Sequence, residues 1–170
     1  MFLKIDNPIS TGKGNVMDLN VLSVLRSSSE AVLEEMAFMF CELMEEDVIS
    51  KITEVNWHCG SMDFGGPLKG NLQIAAGGDF CIMLAANILG TEPDEPQSVQ
   101  FKNDSLKELL NVICGRFLSD AFGLDMVFNL SSPQFQFKES SYIQDLLLHK
   151  GTLLFNTEGE ALVLALRFDD

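Results

Sequence analysis

An internal repeat of two amphipathic helices is the feature of this sequence that most constrains its fold. Apolar residues recur at helical spacing over residues 21–44 and again over 104–122, which predicts two long helices. The two segments match at a constant offset of 74 residues. The matched apolar pairs are Val32 with Leu106, Met36 with Leu110, Met39 with Ile113, and Leu43 with Phe117.

The outer faces of these helices match as well, which makes a chance alignment of two apolar stripes a weaker explanation. The outer pairs are Glu30 with Asp104, Glu34 with Glu108, Ala37 with Asn111, and Cys41 with Gly115. Ser27 followed by Glu30 has the spacing of a capping box, so a second interpretation starts the first helix near Ser28. Two copies of a helix followed by strands are therefore expected.

Most of the remaining sequence is typical of β-strands. The expected strands are 49–58, 64–76, 126–138 and the two arms of a hairpin, 149–155 and 161–168, with its turn at 156–160. Asp79 is expected to cap a short buried helix that ends near Gly90, and residues 91–103 are expected to form a connector. The prediction is an α+β fold in which the two long helices pack on one face of a mainly antiparallel sheet.

The length of 170 residues suits one domain with a sizeable core. We expect an irregular segment over residues 1–20 and a single domain over 21–170, with pseudo-repeats at about 21–100 and 101–170. Hydrophobic residues make up 46% of the chain, so a packed core is available.

Charge and cysteine content exclude several classes of function. The net charge of −14 argues against nucleic acid or an anionic membrane surface as partner, and it permits a partner with a basic rim. No apolar run is long enough to span a membrane, and the first ten residues lack the apolar core of a secretory signal. The four cysteines form no C-x-x-C pair, so a zinc ribbon or thioredoxin-like site is not indicated, and a reduced cytoplasmic protein is expected.

The second helix carries a polar stripe directly opposite its apolar face. With about 100° of rotation per residue, Leu109, Leu110, Ile113 and Phe117 lie within about 60° of Leu106. The opposite stripe consists of Asp104, Glu108, Asn111 and Gly115. Glycine costs about 1 kcal/mol in a helix relative to alanine, and close approach of another protein is a reason to keep it.

A purely structural interpretation of this stripe is also open. Ser105 and Glu108 have capping-box spacing, so Glu108 could simply bind its own backbone, and Asn111 could be an idle solvated residue. His58 beside Cys59 is similarly interpreted as packing, because adjacent strand residues point to opposite faces.

The stripe resembles the signature of the CheC/CheX/FliY family of chemotaxis phosphatases. That signature has an acid or serine, three residues, Glu, two residues, Asn, and a proline a little over twenty residues later. Here it runs from Asp104 through Glu108 to Asn111, with Pro133 following after 21 residues. The resemblance extends over roughly residues 25–168 and includes the glycine-punctuated segment 66–90.

The resemblance implies a phosphatase that acts on the aspartyl phosphate of a CheY-type response regulator. Glu108 would grip a basic residue of the regulator, Asn111 would hold the attacking water, and Asp104 and Gly115 would contact the partner. Magnesium would belong to the regulator, with no metal or other cofactor on this chain. Ala37 stands where the first helix would need its own Asn, so the chain resembles the CheX branch, with one working site per chain and a homodimeric state.

The same resemblance leaves a second function open. Degenerate members of the family and motor-switch relatives make a non-catalytic adaptor plausible. It would bind a response regulator or a flagellar switch component, and Glu108 would then serve docking alone.

Overall fold

The computed structural model describes residues 19–44 and 56–169. Its helices are α1 (Leu19–Ala37), α2 (Gly78–Leu89), α3 (Pro96–Phe122) and α4 (Ser140–Leu147). Its strands are β1 (Cys41–Leu43), β2 (Asn56–Gly65), β3 (Gly70–Ala76), β4 (Asn129–Leu130), β5 (Gln134–Glu139), β6 (Thr152–Thr157) and β7 (Glu160–Phe168). These elements confirm the α+β class.

The strands form one sheet in the order β1-β6-β7-β3-β2, and both β4 and β5 pair with β2. Every pairing in the described sheet is antiparallel. The predicted hairpin is confirmed as β6 and β7. Its turn contains Glu158 and Gly159 at φ values of 54° and 95°, as expected for a two-residue turn of the I′ type.

Side chains alternate between two cores along each central strand. In β7, Leu162, Leu164 and Leu166 face α1, α2 and α3, whereas Val163 and Ala165 face α4. The expected packing of the two long helices on one face of the sheet is thus confirmed, with α2 on the same face. The predicted apolar stripe of α3 is confirmed too, because five side chains are 0% exposed: Leu106, Leu109, Leu110, Ile113 and Phe117.

The first helix ends at Ala37, so the prediction that it extends to Met44 is wrong. Phe38 adopts φ of 54°, its N–H donates to the Glu34 carbonyl (3.1 Å), and the Met39 N–H donates to the Leu33 carbonyl (3.2 Å). The left-handed Phe38 and its bond to Glu34 form an αL motif that terminates the helix, and β1 then pairs with β6. The 74-residue offset therefore relates equivalent helix positions only up to Ala37.

The start of the first helix also differs from the second interpretation. The helix begins at Leu19, and Ser28 and Ser29 are buried inside it rather than capping it. Residues 1–18 of the predicted irregular segment lie outside the described residues, and 19–20 belong to α1.

The second long helix begins earlier than predicted. Pro96 occupies its first turn, where a missing N–H costs nothing, so residues 96–103 are helical and the connector shrinks to 91–95. The short helix α2 ends at Gly90 in the left-handed conformation (φ 67°), as predicted. Its N-cap is Gly77 rather than Asp79, which lies in the first turn.

The remaining strand predictions are partly right. Residues 49–55 lie outside the described residues, and β2 extends through Phe64 and Gly65, which the sequence predicts to belong to the next strand. The expected strand 126–138 is two strands, β4 and β5. The helix α4 was not predicted; it packs Ile143 and Leu146 on the second face of the sheet. Within the described residues, no helix combines the length and apolar character needed to cross a bilayer.

Candidate functional site

The polar stripe of α3 forms one wall of an open depression with a volume of about 510 Å³. We call it the Asn111 depression. Its helical wall consists of Asp104, Lys107, Glu108 and Asn111, and its facing wall consists of Leu130, Ser131, Ser132 and Pro133. The fold thus brings Pro133 to the same surface as the acid and the amide that precede it in the sequence.

The solvent exposure of the side chains on α3 follows the predicted outer stripe of the helix. Asp104 and Glu108 are exposed, whereas Asn111 and Gly115 are half-buried. A Cβ added to Gly115 would have no heavy atom within 4 Å, so the helix surface there is open. Gly115 does not line the Asn111 depression. It lies one turn farther along α3, in a shallow groove of about 380 Å³ between α1 and α3 that Val32, Met36 and Val112 also line.

Hydrogen bonds to β2 hold the facing wall in place. The Ser131 N–H donates to the Asp63 carbonyl oxygen (2.9 Å), and the Asp63 N–H donates to Ser131 Oγ (2.8 Å). β4 pairs with β2 on one side of Ser131, and β5 pairs with β2 from Gln134 onward. The wall is therefore anchored at both ends to the strand that packs against α3.

Close packing of β2 against α3 fixes the helical wall. A Cβ on Gly60 of β2 would lie 2.9 Å from Ile74 Cγ2 and 3.2 Å from Leu110 Cδ2. Glycine at this position lets the strand approach the buried side of α3. This packing fixes the distance between α3 and the sheet, and the opposite side of the helix, with Asn111, faces outward.

Within the described part of the chain, the working groups of the depression carry no internal partner. Neither the Glu108 carboxylate nor the Asn111 carboxamide makes a hydrogen bond or ion pair there. The capping-box interpretation is wrong, because Ser105 lies well inside α3 and is only 8% exposed. Both side chains are thus free to bind a molecule from outside.

Asp104 is held differently from Glu108. Its Oδ1 lies 2.8 Å from Lys107 Nζ in an i,i+3 ion pair on the helix surface. Sequence analysis did not single out Lys107, although an acid and a lysine three residues apart on a helix are a recognisable pairing signal. The carboxylate at the start of the motif is therefore already partly neutralised.

The corresponding position on the first helix is closed. Glu34 is exposed, but Ala37 is 0% exposed, and its carbonyl accepts a hydrogen bond from Asn87 Nδ2 (2.9 Å). The first repeat therefore lacks the amide and also lacks an accessible position for it.

His58 and Cys59 point to opposite faces of β2, which confirms that they do not form one site. His58 Nδ1 lies 2.7 Å from Asn103 Oδ1 of α3, whereas Cys59 packs in the core beneath α4. Burial raises the pKa of the Cys59 thiol to about 12, which leaves it protonated near neutral pH. No group of His, Cys, Asp and Glu side chains in the described residues is arranged to hold a metal ion.

Comparison with known proteins identifies a family for this chain. The family model for the chemotaxis phosphatase CheX matches residues 58–152. No curated protein matches the sequence. The match covers both α3 and the facing wall of the Asn111 depression.

Solved structures share the fold at low sequence identity. CheX from Desulfovibrio desulfuricans is 13% identical with a TM-score of 0.65, covering 89% of this chain and all of that one. The CheX–CheY–BeF3–Mg²⁺ complex from Borrelia burgdorferi is 16% identical with a TM-score of 0.60, covering 90% and 100%. A CheC-like protein from Shewanella sp. PV-4 is 17% identical with a TM-score of 0.61, covering 91% and 100%.

The resemblance to the CheC/CheX/FliY group that the sequence suggested is thereby confirmed. The family model spans more than half of the residues, and the structural likeness covers nearly the whole chain. The chain belongs to the CheX family of chemotaxis phosphatases.

Proposed function

We propose that this protein accelerates hydrolysis of the aspartyl phosphate of a CheY-type response regulator, with Asn111 and Glu108 as its working residues. The observation that carries the proposal is the Asn111 carboxamide, which lies in an open depression without a partner among the described residues. A CheX relative of the same fold forms a complex with CheY. In this proposal the protein acts in the cytoplasm as a homodimer with one site per chain.

Asn111 positions the attacking water. A carboxamide both donates and accepts hydrogen bonds, so it can orient a water molecule without adding charge. Water attacks phosphorus in line with the regulator's aspartyl oxygen; the bond between phosphorus and that oxygen breaks, and the products are a free aspartate and inorganic phosphate. Positioning of this kind supplies much of the catalysis in phosphoryl transfer.

Glu108 aligns the two proteins. It is exposed on the same wall as Asn111 and one turn before it, so it reaches a basic side chain of the regulator while Asn111 enters the regulator's site. The magnesium that such a regulator binds neutralises charge on the phosphoryl group, and in this proposal it is held by the regulator. Asp104 and Gly115 lie along the same side of α3 and extend the contact surface.

The decisive experiment follows phosphate release from a phosphorylated CheY-type regulator in the presence of Mg²⁺ and substoichiometric protein. The wild-type protein is expected to accelerate release, and Asn111→Ala is expected to lower the rate roughly 100-fold. Asn20→Ala, the same change at an exposed position of α1, is the matched control and is expected to keep full activity.

Circular dichroism and thermal unfolding of Asn111→Ala should match the wild type, since the side chain makes no internal hydrogen bond among the described residues. Full activity in folded Asn111→Ala would contradict the assignment of this residue. Wild-type protein that binds the phosphorylated regulator without accelerating release would replace the phosphatase with the adaptor function.

A further inference from the structure

Lys107 is the one cation among the residues that line the Asn111 depression. The other charged groups there are the carboxylates of Asp104 and Glu108, on a chain whose net charge is −14. A phosphoryl group that approaches this wall meets an unfavourable negative field unless a positive charge lies close to it. Lys107 is placed to supply that charge.

The helix puts Lys107 directly beside the amide that the proposed reaction uses. Lys107 precedes Asn111 by four residues on α3, so the two side chains lie on the same side of the helix, about one turn apart. The Lys107 ammonium, on its flexible side chain, can therefore reach the phosphoryl group beside which Asn111 positions the attacking water.

Asp104 restricts the position of that ammonium but leaves some of its N–H donors available. The Lys107 Nζ lies 2.8 Å from Asp104 Oδ1, and an ammonium has three N–H donors, so two remain for another acceptor. The Lys107 and Asp104 side chains are 35% and 66% exposed, and ion pairs this accessible contribute little to folding. The fold alone therefore gives little reason for the pair.

We propose that Lys107 is a further catalytic residue, whose ammonium donates to a non-bridging oxygen of the regulator's aspartyl phosphate while Asp104 positions it beside Asn111. This inference rests on the phosphatase function proposed above. During transfer the negative charge is spread over the phosphoryl oxygens, and a cation fixed at those oxygens lowers the barrier. The arrangement makes Asp104 a positioning residue.

The test is steady-state phosphate release with Lys107→Gln, which removes the charge and keeps an N–H donor on a side chain one atom shorter. We expect kcat to fall about tenfold, since charge stabilisation acts in the transition state. Lys102→Gln is the matched control: Lys102 is a half-buried lysine on α3, does not line the Asn111 depression, and should leave kcat unchanged.

Asp104→Asn separates positioning from general charge effects. It is expected to lower kcat by a smaller factor in the wild-type background and to have no further effect in Lys107→Gln, because the two residues act as a unit. An equal effect of Asp104→Asn in both backgrounds would overturn the positioning role. An unchanged kcat in Lys107→Gln, with or without a higher KM, would overturn the catalytic role.

A binding measurement keeps this inference separable from the phosphatase proposal. Affinities are compared for a CheY-type regulator with and without beryllium trifluoride and Mg²⁺, a stable mimic of the phosphorylated form. If Lys107 contacts the phosphoryl group, wild type prefers the beryllium trifluoride form and Lys107→Gln loses that preference. If the wild type has no phosphatase activity but Lys107→Gln still abolishes its preference, the phosphatase proposal is refuted and the contact stands. A preference unchanged by Lys107→Gln would refute the contact itself.

Discussion

Asn111 and Pro133 line the same depression from opposite walls, although one belongs to α3 and the other to the segment between β4 and β5. The link between them is β2, which packs against α3 through Gly60 and pairs with both β4 and β5. A motif that is split in sequence thus becomes one surface. The geometry of the proposed site depends on how closely β2 approaches α3.

Glu108→Gln is expected to raise KM for the phosphorylated regulator about threefold to tenfold, with a smaller effect on kcat. The reason is that Glu108 is proposed to align the partner through a charge contact, which acts on binding and association. Phosphate release at varied regulator concentration measures both constants. Glu34→Gln removes the equivalent exposed acid of α1 and should change neither; a comparable rise in KM there would show that overall charge, rather than the position of Glu108, controls binding.

Gly115→Ala is expected to stabilise the protein by up to about 1 kcal/mol and to weaken regulator binding. Alanine is the better helix former, and its Cβ meets no heavy atom within 4 Å. The loss of binding follows from the proposed close approach of the regulator at this open position. Chemical denaturation and titration with the beryllium trifluoride form of the regulator measure the two effects, and unchanged affinity would remove Gly115 from the contact surface.

Gly60→Ala is expected to destabilise the protein, in contrast to Gly115→Ala. Its Cβ would lie 2.9 Å from Ile74 Cγ2 of β3 and 3.2 Å from Leu110 Cδ2 of α3, so these side chains must shift, and crowding of this kind costs about 1–3 kcal/mol. Because the depression depends on that packing, phosphatase activity should fall as well. A variant as stable as the wild type in chemical denaturation would show that the packing of β2 on α3 tolerates the added methyl group.

Ala37→Asn is expected not to create a second working site. Ala37 is 0% exposed, so the new carboxamide would be buried at the end of α1, at a cost of about 1–3 kcal/mol. Ala31→Asn, at a half-buried position of the same helix, should cost less. Urea unfolding and phosphate release test both statements, and a rise in activity in Ala37→Asn would contradict them.

The free energy of unfolding is expected to fall as pH rises above about 9. Burial raises the pKa of the Cys114 thiol from 9.0 to about 12, and Cys59 behaves alike. Below pH 9 both the folded and the unfolded chain keep these thiols protonated. Between pH 9 and 12 these thiols ionise only in the unfolded chain. Ionisation stabilises the unfolded state, so the free energy of unfolding falls by up to about 1.4 kcal/mol per pH unit for each thiol.

Urea unfolding in reducing buffer between pH 7.5 and 10.5 measures this dependence. Other groups also titrate in alkali, so the comparison is with Cys114→Ala, whose curve should fall less steeply with pH. Identical pH dependence in the two proteins would show that the buried thiol does not contribute.

Local periodicity was sufficient to place the working face of α3. Leu106, Leu110 and Ile113 are all buried as predicted, and Glu108 is exposed as predicted. The helical repeat is a property of neighbouring residues, so it can be read wherever the helix is long. The ion pair between Asp104 and Lys107 follows from the same local spacing, because the two residues lie three positions apart on the helix.

The limits of the elements were less predictable, because contacts from distant segments decide them. Residues 38–44 continue an apolar pattern, yet Phe38 turns into the left-handed conformation and β1 joins β6. Helix α4 is only eight residues long, too short for a helical period to stand out in the sequence, and its stability comes from packing Ile143 and Leu146 on the second face of the sheet.

The amino-acid sequence by itself determined the class of fold, the buried and exposed sides of α3, and the acid and amide that the family motif requires, because each is encoded by residues within a few turns of one another. Only the tertiary structure decided that Pro133 faces Asn111, that Ala37 is buried in the interior, and that Lys107 lines a depression whose other wall includes Ser131 and Ser132. Those relations depend on strand pairing and helix packing between segments far apart in the chain, which no local pattern specifies.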